Sequence, residues 1–502
     1  MKNKHLFLRG KTLGLALTAT ALSILCGCVD GFEEAEEFSA GVKNAQLVAP
    51  DTVMISLSAT GEEATATWPV VMGAGGYGVT LLSYDDPTNP DTIFTKVVDG
   101  CSVTFDVAED TNYGLKVLTL GNAKHNNKQA VDTADKPFTT MVPTFAYIEG
   151  EDASLPVNLN EWFAANPVPQ DTIDELAYEL KTGVEYTLTG DIDFGGTKVT
   201  FRGDNKVNHV KIVATENARF ITYAGFKIKF IDIDASENTQ PLFQFSKTPA
   251  ESMMGASNRN EYKDPFLIQG CNIKLNNNLV YDNSVAYVVD NLLIKDCIIE
   301  YPKQANPMIY YKASSFVNMT FENSTIYSRE PGTQYFLQIA GERPAKLAGY
   351  STAVFLVRNC TMFRLAKSQN FVNWSRYSGQ ATTTLNLDKS IFVDCGRNGE
   401  MIGKMIGNAN MTQVYNANTY YSDGAVAAKD QSKDAGAFEG DPGYAAMDYQ
   451  PATIIINGME FWDFTVTGAE QLQFRTGDTR WLPAVEEGAP EEEETPEETP
   501  AV

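Results

Sequence analysis

Histidine is nearly absent from this chain, with three residues in 502. The seven cysteines (Cys26, Cys28, Cys101, Cys271, Cys297, Cys360 and Cys395) include no CxxC pair. Structural zinc takes Cys and His ligands at short spacings, so that chemistry has almost nothing to build on. Positive charge is scarce as well: 39 Lys and Arg stand against 64 Asp and Glu, a formal net charge of −25. Bulk electrostatics of that sign argue against nucleic acid. They admit a polyanion such as pectin only through local basic pockets or bridging Ca²⁺. Beyond the first 25 residues no apolar run approaches membrane-spanning length.

The two ends are informative. Lys2, Lys4, Arg9 and Lys11 form a basic start, and Leu13 to Ile24 is a short apolar stretch. It closes on Leu25-Cys26-Gly27-Cys28, which resembles the lipobox read by lipoprotein signal peptidase. The resemblance implies a signal peptide over 1–27 and a lipidated Cys28. An acidic tether over 28–39 follows, with Asp30, Glu33, Glu34, Glu36 and Glu37. It resembles the surface-export signals of Bacteroidota lipoproteins, which implies an outer-membrane, lipid-anchored body facing the medium. As plain polymer physics it reads as a solvated, self-extending tether. Residues 483–502 are expected to be a disordered acidic tail, since 486–502 carry eight Glu and three Pro.

Residues 40–143 read as short alternating strands between turns. Val53–Leu57, Ala64–Trp68, Tyr77–Leu81, Val103–Val107 and Tyr113–Val117 are the strongest. About seven strands in 100 residues predict a β-sandwich. Trp68-Pro69, Gly76-Tyr77-Gly78, Asp110-Thr-Asn-Tyr113, Phe138-Thr-Thr140 and Pro143 resemble the landmarks of a fibronectin type III domain. The resemblance implies a spacer or docking module.

The second half carries an internal repeat of the form apolar-x-x-small-x-apolar. Its six copies begin at Ile268, Ile294, Phe321, Val357, Leu387 and Val414, with small residues Cys271, Cys297, Ser324, Cys360, Ser390 and Ala417. A weaker copy runs from Ile228 to Ile233. The residue before each small one (Gly270, Asp296, Asn323, Asn359, Lys389, Asn416) is mostly turn-prone. A parallel β-helix accounts for this pattern: each coil buries its apolar side chains only by stacking on its neighbours, and like residues form ladders. The Cys residues then stack as thiols, with disulfides allowed and not required. Longer gaps place inserted loops at Thr248–Pro265 and Gly341–Gly349. A leucine-rich repeat lacks support in the period, and a β-propeller period is too long.

The β-helix is therefore placed at 185–482, with 144–184 as a linker and capping helix. The helix is expected over Asp171–Leu180, where Ile173, Leu176, Ala177 and Leu180 share one side and Thr172 with Glu175 forms a capping box. The fold class is all-β: a fibronectin type III-like sandwich, a short capping helix and a right-handed single-stranded parallel β-helix. The arrangement, closing with Asp463-Phe-Thr-Val466 and Gly477-Asp-Thr-Arg-Trp481, resembles uncharacterised Bacteroidota lipoprotein families with a pectate-lyase-like β-helix. The resemblance implies a place in polysaccharide utilisation.

A polysaccharide lyase needs a base, often Arg or Lys, beside acid-held Ca²⁺; a glycosidase of this fold needs grouped carboxylates. Candidate bases are Arg343, Lys346, Arg358, Arg364, Lys367 and Arg376, but acidic residues near them are sparse. Asp191 with Asp193 and Asp232 with Asp234 make Asp-x-Asp pairs that do not recur in register. No catalytic set is assigned, no metal site is expected, and no cofactor is implied; Ca²⁺ is compatible with the chain but has no motif behind it. Carbohydrate binding asks only for exposed aromatic faces with amides and charges beside them. Tyr310, Tyr335, Gln338, Trp374, Arg376 and Tyr377 are the candidates, with Trp374, Arg376 and Tyr377 expected to be exposed. The expected function is non-catalytic glycan binding at the cell surface. A lyase or glycosidase acting on a uronic-acid-containing glycan is the alternative, and a structural or adhesive protein the second alternative. Expected partners are a polysaccharide, the membrane through Cys28, and other outer-membrane glycan-uptake proteins, with no nucleic acid.

Overall fold

The structure, a computed structural model, describes residues 41–58, 63–85, 90–150, 155–170, 172–407, 410–445 and 451–484. The expected signal peptide, Cys28, the acidic tether and the tail from 485 onward lie outside the described residues. The chain divides into two compact units, Met1–Val142 and Pro143–Val502.

Unit one is the expected antiparallel sandwich. Three strands, Met54–Leu57, Glu63–Thr67 and Ser102–Asp106, form one sheet. Four more, in the order Asp91–Val98, Tyr77–Ser83, Asn112–Thr119 and Ala134–Thr139, form the other. Alternation decides the core: Tyr77, Val79 and Leu81 point inward from one strand and Tyr113, Leu115 and Val117 from its neighbour. Trp68 packs edge-on against Tyr77 with ring centroids 5.4 Å apart. The Tyr113 hydroxyl accepts a 2.8 Å bond from the Ala108 backbone N–H, pinning the turn before its own strand.

Unit two is a parallel β-helix of three sheets. The first sheet holds eleven parallel strands, ten in a row from Thr144–Ile148 to Thr412–Asn416 and Asn260–Tyr262 pairing off that row with Tyr287–Lys295. The second holds ten from Val157–Asn158 to Thr419–Ser422, with Ala425–Val426 added antiparallel at the end. The third holds seven from Asp191–Asp193 to Val372–Asn373. Coiling begins at Thr144, some forty residues before the expected start.

The predicted ladder of small residues is present. Cys271, Cys297, Ser324, Cys360 and Ser390 are all fully buried at the corner between the first and second sheets. The four cysteines of this unit (Cys271, Cys297, Cys360 and Cys395) are free thiols. From the fourth coil onward each corner turns on one residue in the left-handed region: Phe230, Gly270, Asp296, Asn323, Asn359, Lys389 and Ala417, with φ between 44° and 59°. Asn and Asp tolerate that region, and Gly270 has a second reason to be glycine. A Cβ there would stand 2.7 Å from the Phe230 ring of the coil below.

The last coil slips by one residue against the sequence pattern. Lys389 is followed by Ser390, and the structure pairs Ile391 with Thr419, so the buried position is Asn418 and the corner is Ala417, not Ala417 and Asn416. Val414 consequently points outward, 45 % exposed. The reason is polar: the Asn418 amide accepts from Ser390 N at 3.0 Å and donates to Leu387 O and to the Asp434 carboxylate. These bonds satisfy a rung whose next neighbour is the single Thr419–Phe438 bridge, where Phe438 N donates to Asn418 O.

A short helix caps the opening end, but not over 171–180. It spans Leu159–Ala165, capped by the Asn158 side chain, and buries Leu159 and Phe163 on the core. Leu176–Leu180 is instead a strand of the first sheet. The segment satisfies period 2 as well as the helical period, and parallel pairing with Val199–Gly203 buries Leu176, Tyr178 and Leu180 together. Ile173, expected on the apolar stripe, is 90 % exposed.

Candidate functional site

Stacking in register turns each outward strand position into a column, so a coil-built surface is read sheet by sheet. The outer face of the second sheet is covered over its later coils by the chain's own C-terminal segment. Phe461, Phe464, Val466 and Trp481 pack on Ile298, Tyr327, Phe363 and Ile391. Trp462 stacks on Tyr327 at 5.4 Å, with the Arg329 and Arg364 guanidiniums over its ring. The buried Asp478 carboxylate accepts from Thr325 at 2.7 Å, and the Trp481 indole donates to the same threonine. The outer face of the first sheet is a mixed polar column that includes Gln269, Lys295, Glu322, Arg358, Asp388 and Asn416.

The third sheet presents a different column. Gln244, Tyr281, Tyr310, Gln338 and Asn373 pair in register on successive coils. Adjacent coils lie about 4.8 Å apart, and the Tyr281 and Tyr310 rings are 5.7 Å apart at 33°. The Lys312 ammonium lies 4.9 Å from the Tyr310 centroid and 5.3 Å from that of Tyr281. A hydrogen bond with the Tyr281 hydroxyl holds that ammonium above its ordinary pKa. Tyr281 also pairs with the Ser284 hydroxyl at 3.1 Å. Beneath these groups the turns are fixed from inside. The buried Asp282 carboxylate accepts 2.8 Å bonds from the Ala313 and Ser314 backbone N–H groups.

Farther along the same corner, Glu342 binds Arg376 at 2.6 Å. Burial pushes the Glu342 carboxyl up, but the Arg343 backbone N–H and the Arg376 guanidinium outweigh it and hold it below the usual carboxylate range. The two inserted loops meet at this corner, where Ala348 N donates to Ser257 Oγ at 2.7 Å. Arg259 of the first loop donates to Ala313 O.

The structure thus brings two of the expected residues, Tyr310 and Gln338, into one column and places Arg376 at its upper corner, half-exposed. Trp374 and Tyr377 are corrected: both are buried core residues. Tyr377 lies parallel to Phe316 at 4.7 Å, and the Trp374 indole donates to Met405 O at 2.8 Å. Trp374 and Arg376 do not share a direction because the strand ends at Asn373 and the chain turns, so strand parity no longer holds. Tyr335 is half-buried in the turn before the third sheet, its carbonyl bound by Gln304, and lies outside the column. Tyr281 and Lys312 were missed, and Gln244 at the foot of the column is buried. Tyr281 sits one repeat length before Tyr310, a spacing that would have found it.

Of the candidate bases, Arg343 and Arg376 gather on Glu342, and three others scatter. Arg358 pairs with Asp388 on the first sheet, Lys367 with Asp394 and Asp423 beyond the second, and Arg364 lies on the covered face. The Asp-x-Asp pairs serve the fold. Asp191 binds Arg219 through two bonds, Asp193 caps Gly195 N, Asp232 binds His209 and Asn272, and Asp234 holds Ser236. Among the described residues no three His, Cys, Asp or Glu side chains gather in a metal-holding arrangement.

These features define a two-unit all-β protein, an antiparallel sandwich joined to a parallel β-helix whose third sheet carries a column of planar side chains. Residues 1–183 match a family model described as a domain of unknown function, DUF4992. Residues 184–329 match another so described, DUF4957. The boundary between the two matches falls inside the β-helix, beyond its first coil, whereas the structural units part at 142. No curated protein and no solved structure matches the chain.

Proposed function

We propose that this protein is a non-catalytic, glycan-binding surface lipoprotein of the Bacteroidota type. In this reading the third-sheet column is the binding face, the sandwich a spacer and Cys28 the membrane anchor. One observation carries the reading: Tyr281, Tyr310, Gln338 and Asn373 repeat on four consecutive coils. A polymer of sugar rings repeats too, and a column of flat faces and amides matches it unit by unit, with rings stacking and amides bonding hydroxyls. The competing carboxylate chemistry has little to work with here. Glu342 is held by Arg376 and Asp282 by backbone N–H groups.

The test is affinity electrophoresis of the full chain through gels containing plant and host polysaccharides. Retardation by at least one glycan is expected. Tyr310→Ala should weaken it about fivefold, from ~1 kcal/mol of ring stacking. Absence of retardation in every gel refutes the reading. New reducing ends or ultraviolet-absorbing unsaturated products would reassign the face to a hydrolase or lyase.

A further inference from the structure

Where the third sheet turns back toward the first, the inserted loop Thr248–Pro265 forms one side of an open cleft of about 360 Å³. This turn is the longest of its kind, running from Phe245 to Phe266, whereas Thr222 to Phe226 and Tyr311 to Ser315 make it in a few residues. Two glycines set the width of the cleft. A Cβ on Gly196 would stand 2.7 Å from the Tyr223 ring, and one on Gly225 would stand 2.6 Å from the Asp264 side chain. Tyr223 and Met253 pack against the core on one side and line the cleft on the other.

The polar lining is charged but balanced. Lys198 pairs with Asp264 at 2.9 Å and Lys263 with Glu261 at 2.8 Å. Each cation already has its anion, so a charged guest would have to break a pair to be neutralised. A polyol would not: adjacent hydroxyls both donate and accept, and each ion pair offers an acceptor beside a donor. An aromatic face beside such pairs suits a ring with one apolar side. The volume lies at the small end of ligand pockets.

From this geometry we propose that the corner cleft is a second site, which binds one or two rings of an uncharged sugar. It shares no lining residue with the Tyr281–Asn373 column, so either site can fail without the other.

The experiment is saturation-transfer NMR on the full chain. The probes are glucose, galactose, mannose, xylose, arabinose, N-acetylglucosamine, cellobiose and lactose, with galacturonic acid as the charged comparison. Transfer to at least one neutral probe is expected. Its affinity should fall at least tenfold in Tyr223→Ala and in Lys198→Ala, and stay unchanged in Tyr310→Ala. Lys198 is partly exposed, so that variant should melt with the wild type and decides the matter if Tyr223→Ala unfolds early. The proposal is overturned by no transfer to any neutral probe, by unchanged affinity in the cleft variants, by loss only in Tyr310→Ala, or by tighter binding of galacturonic acid.

Discussion

Asp430 offers a sharp test of how the far end of the β-helix is held. Its carboxylate is 2 % exposed. It accepts bonds of 2.8–2.9 Å from the Met401 and Ile402 backbone N–H groups, tying residues 425–445 to the short helix Ile402–Ile406. Burial pushes its pKa up to about 6, the two N–H groups pull the other way, and Glu400 adds to the rise while Lys429 opposes it. An unfolded aspartate titrates near 3.8. Between those values the folded chain keeps a proton that the unfolded chain has lost, so stability falls as pH rises. The contribution is fully present below about pH 4 and gone above about pH 6. Roughly two pKa units at 1.36 kcal/mol each make it ~3 kcal/mol.

Asp430→Asn keeps the shape and one acceptor oxygen but cannot titrate. Urea unfolding of both proteins at intervals from pH 4 to pH 7 isolates the effect, because every other group is common to the pair. The stability difference, wild type minus variant, should drop by about 3 kcal/mol across that window. Parallel curves would refute the argument, showing that Asp430 is ionised in the folded state throughout.

Other expectations follow from the same packing. Trp374→Ala should destabilise by about 3–5 kcal/mol, because it empties a site between Phe316, Phe355 and Tyr377 and strands the Met405 carbonyl. The urea midpoint reads the loss, and a midpoint unchanged from wild type would return Trp374 to the surface. Cys271, Cys297, Cys360 and Cys395 should resist a water-soluble thiol reagent in the native chain and react once it is unfolded. Burial raises the Cys271, Cys360 and Cys395 thiols above their ordinary pKa, so little reactive thiolate forms. Rapid native labelling of any of the four, read by mass spectrometry, would contradict the stacked interior.

The repeat made the fold legible, because a narrow buried corner accepts only small side chains and returns once per coil. Cys271, Cys297, Ser324, Cys360 and Ser390 therefore mark the β-helix in the one-dimensional chain. The sandwich was legible for a related reason: Tyr77–Leu81 and Tyr113–Val117 alternate as strands with one buried face must. The register of the last coil was not, since Val414 fits the apolar pattern as well as Tyr415 does. Only the contacts of Asn418 with Ser390, Leu387 and Asp434 choose between them. The helix misplaced over 171–180 has the same origin, two periods satisfied by one segment and decided by its neighbours.

The surface shows the limit most plainly. Aromatic residues are visible in the sequence, but the direction each one points is set by where a strand stops. Trp374 follows the last strand residue Asn373 and turns inward, while Tyr310 lies within its strand and faces out. The chain alone determined that coils stack and which residues build their interior, because burial is a local property repeated in register. Which columns face solvent, which sheet the C-terminal segment covers, and where an inserted loop lines a cleft were decided by contacts between residues tens of positions apart.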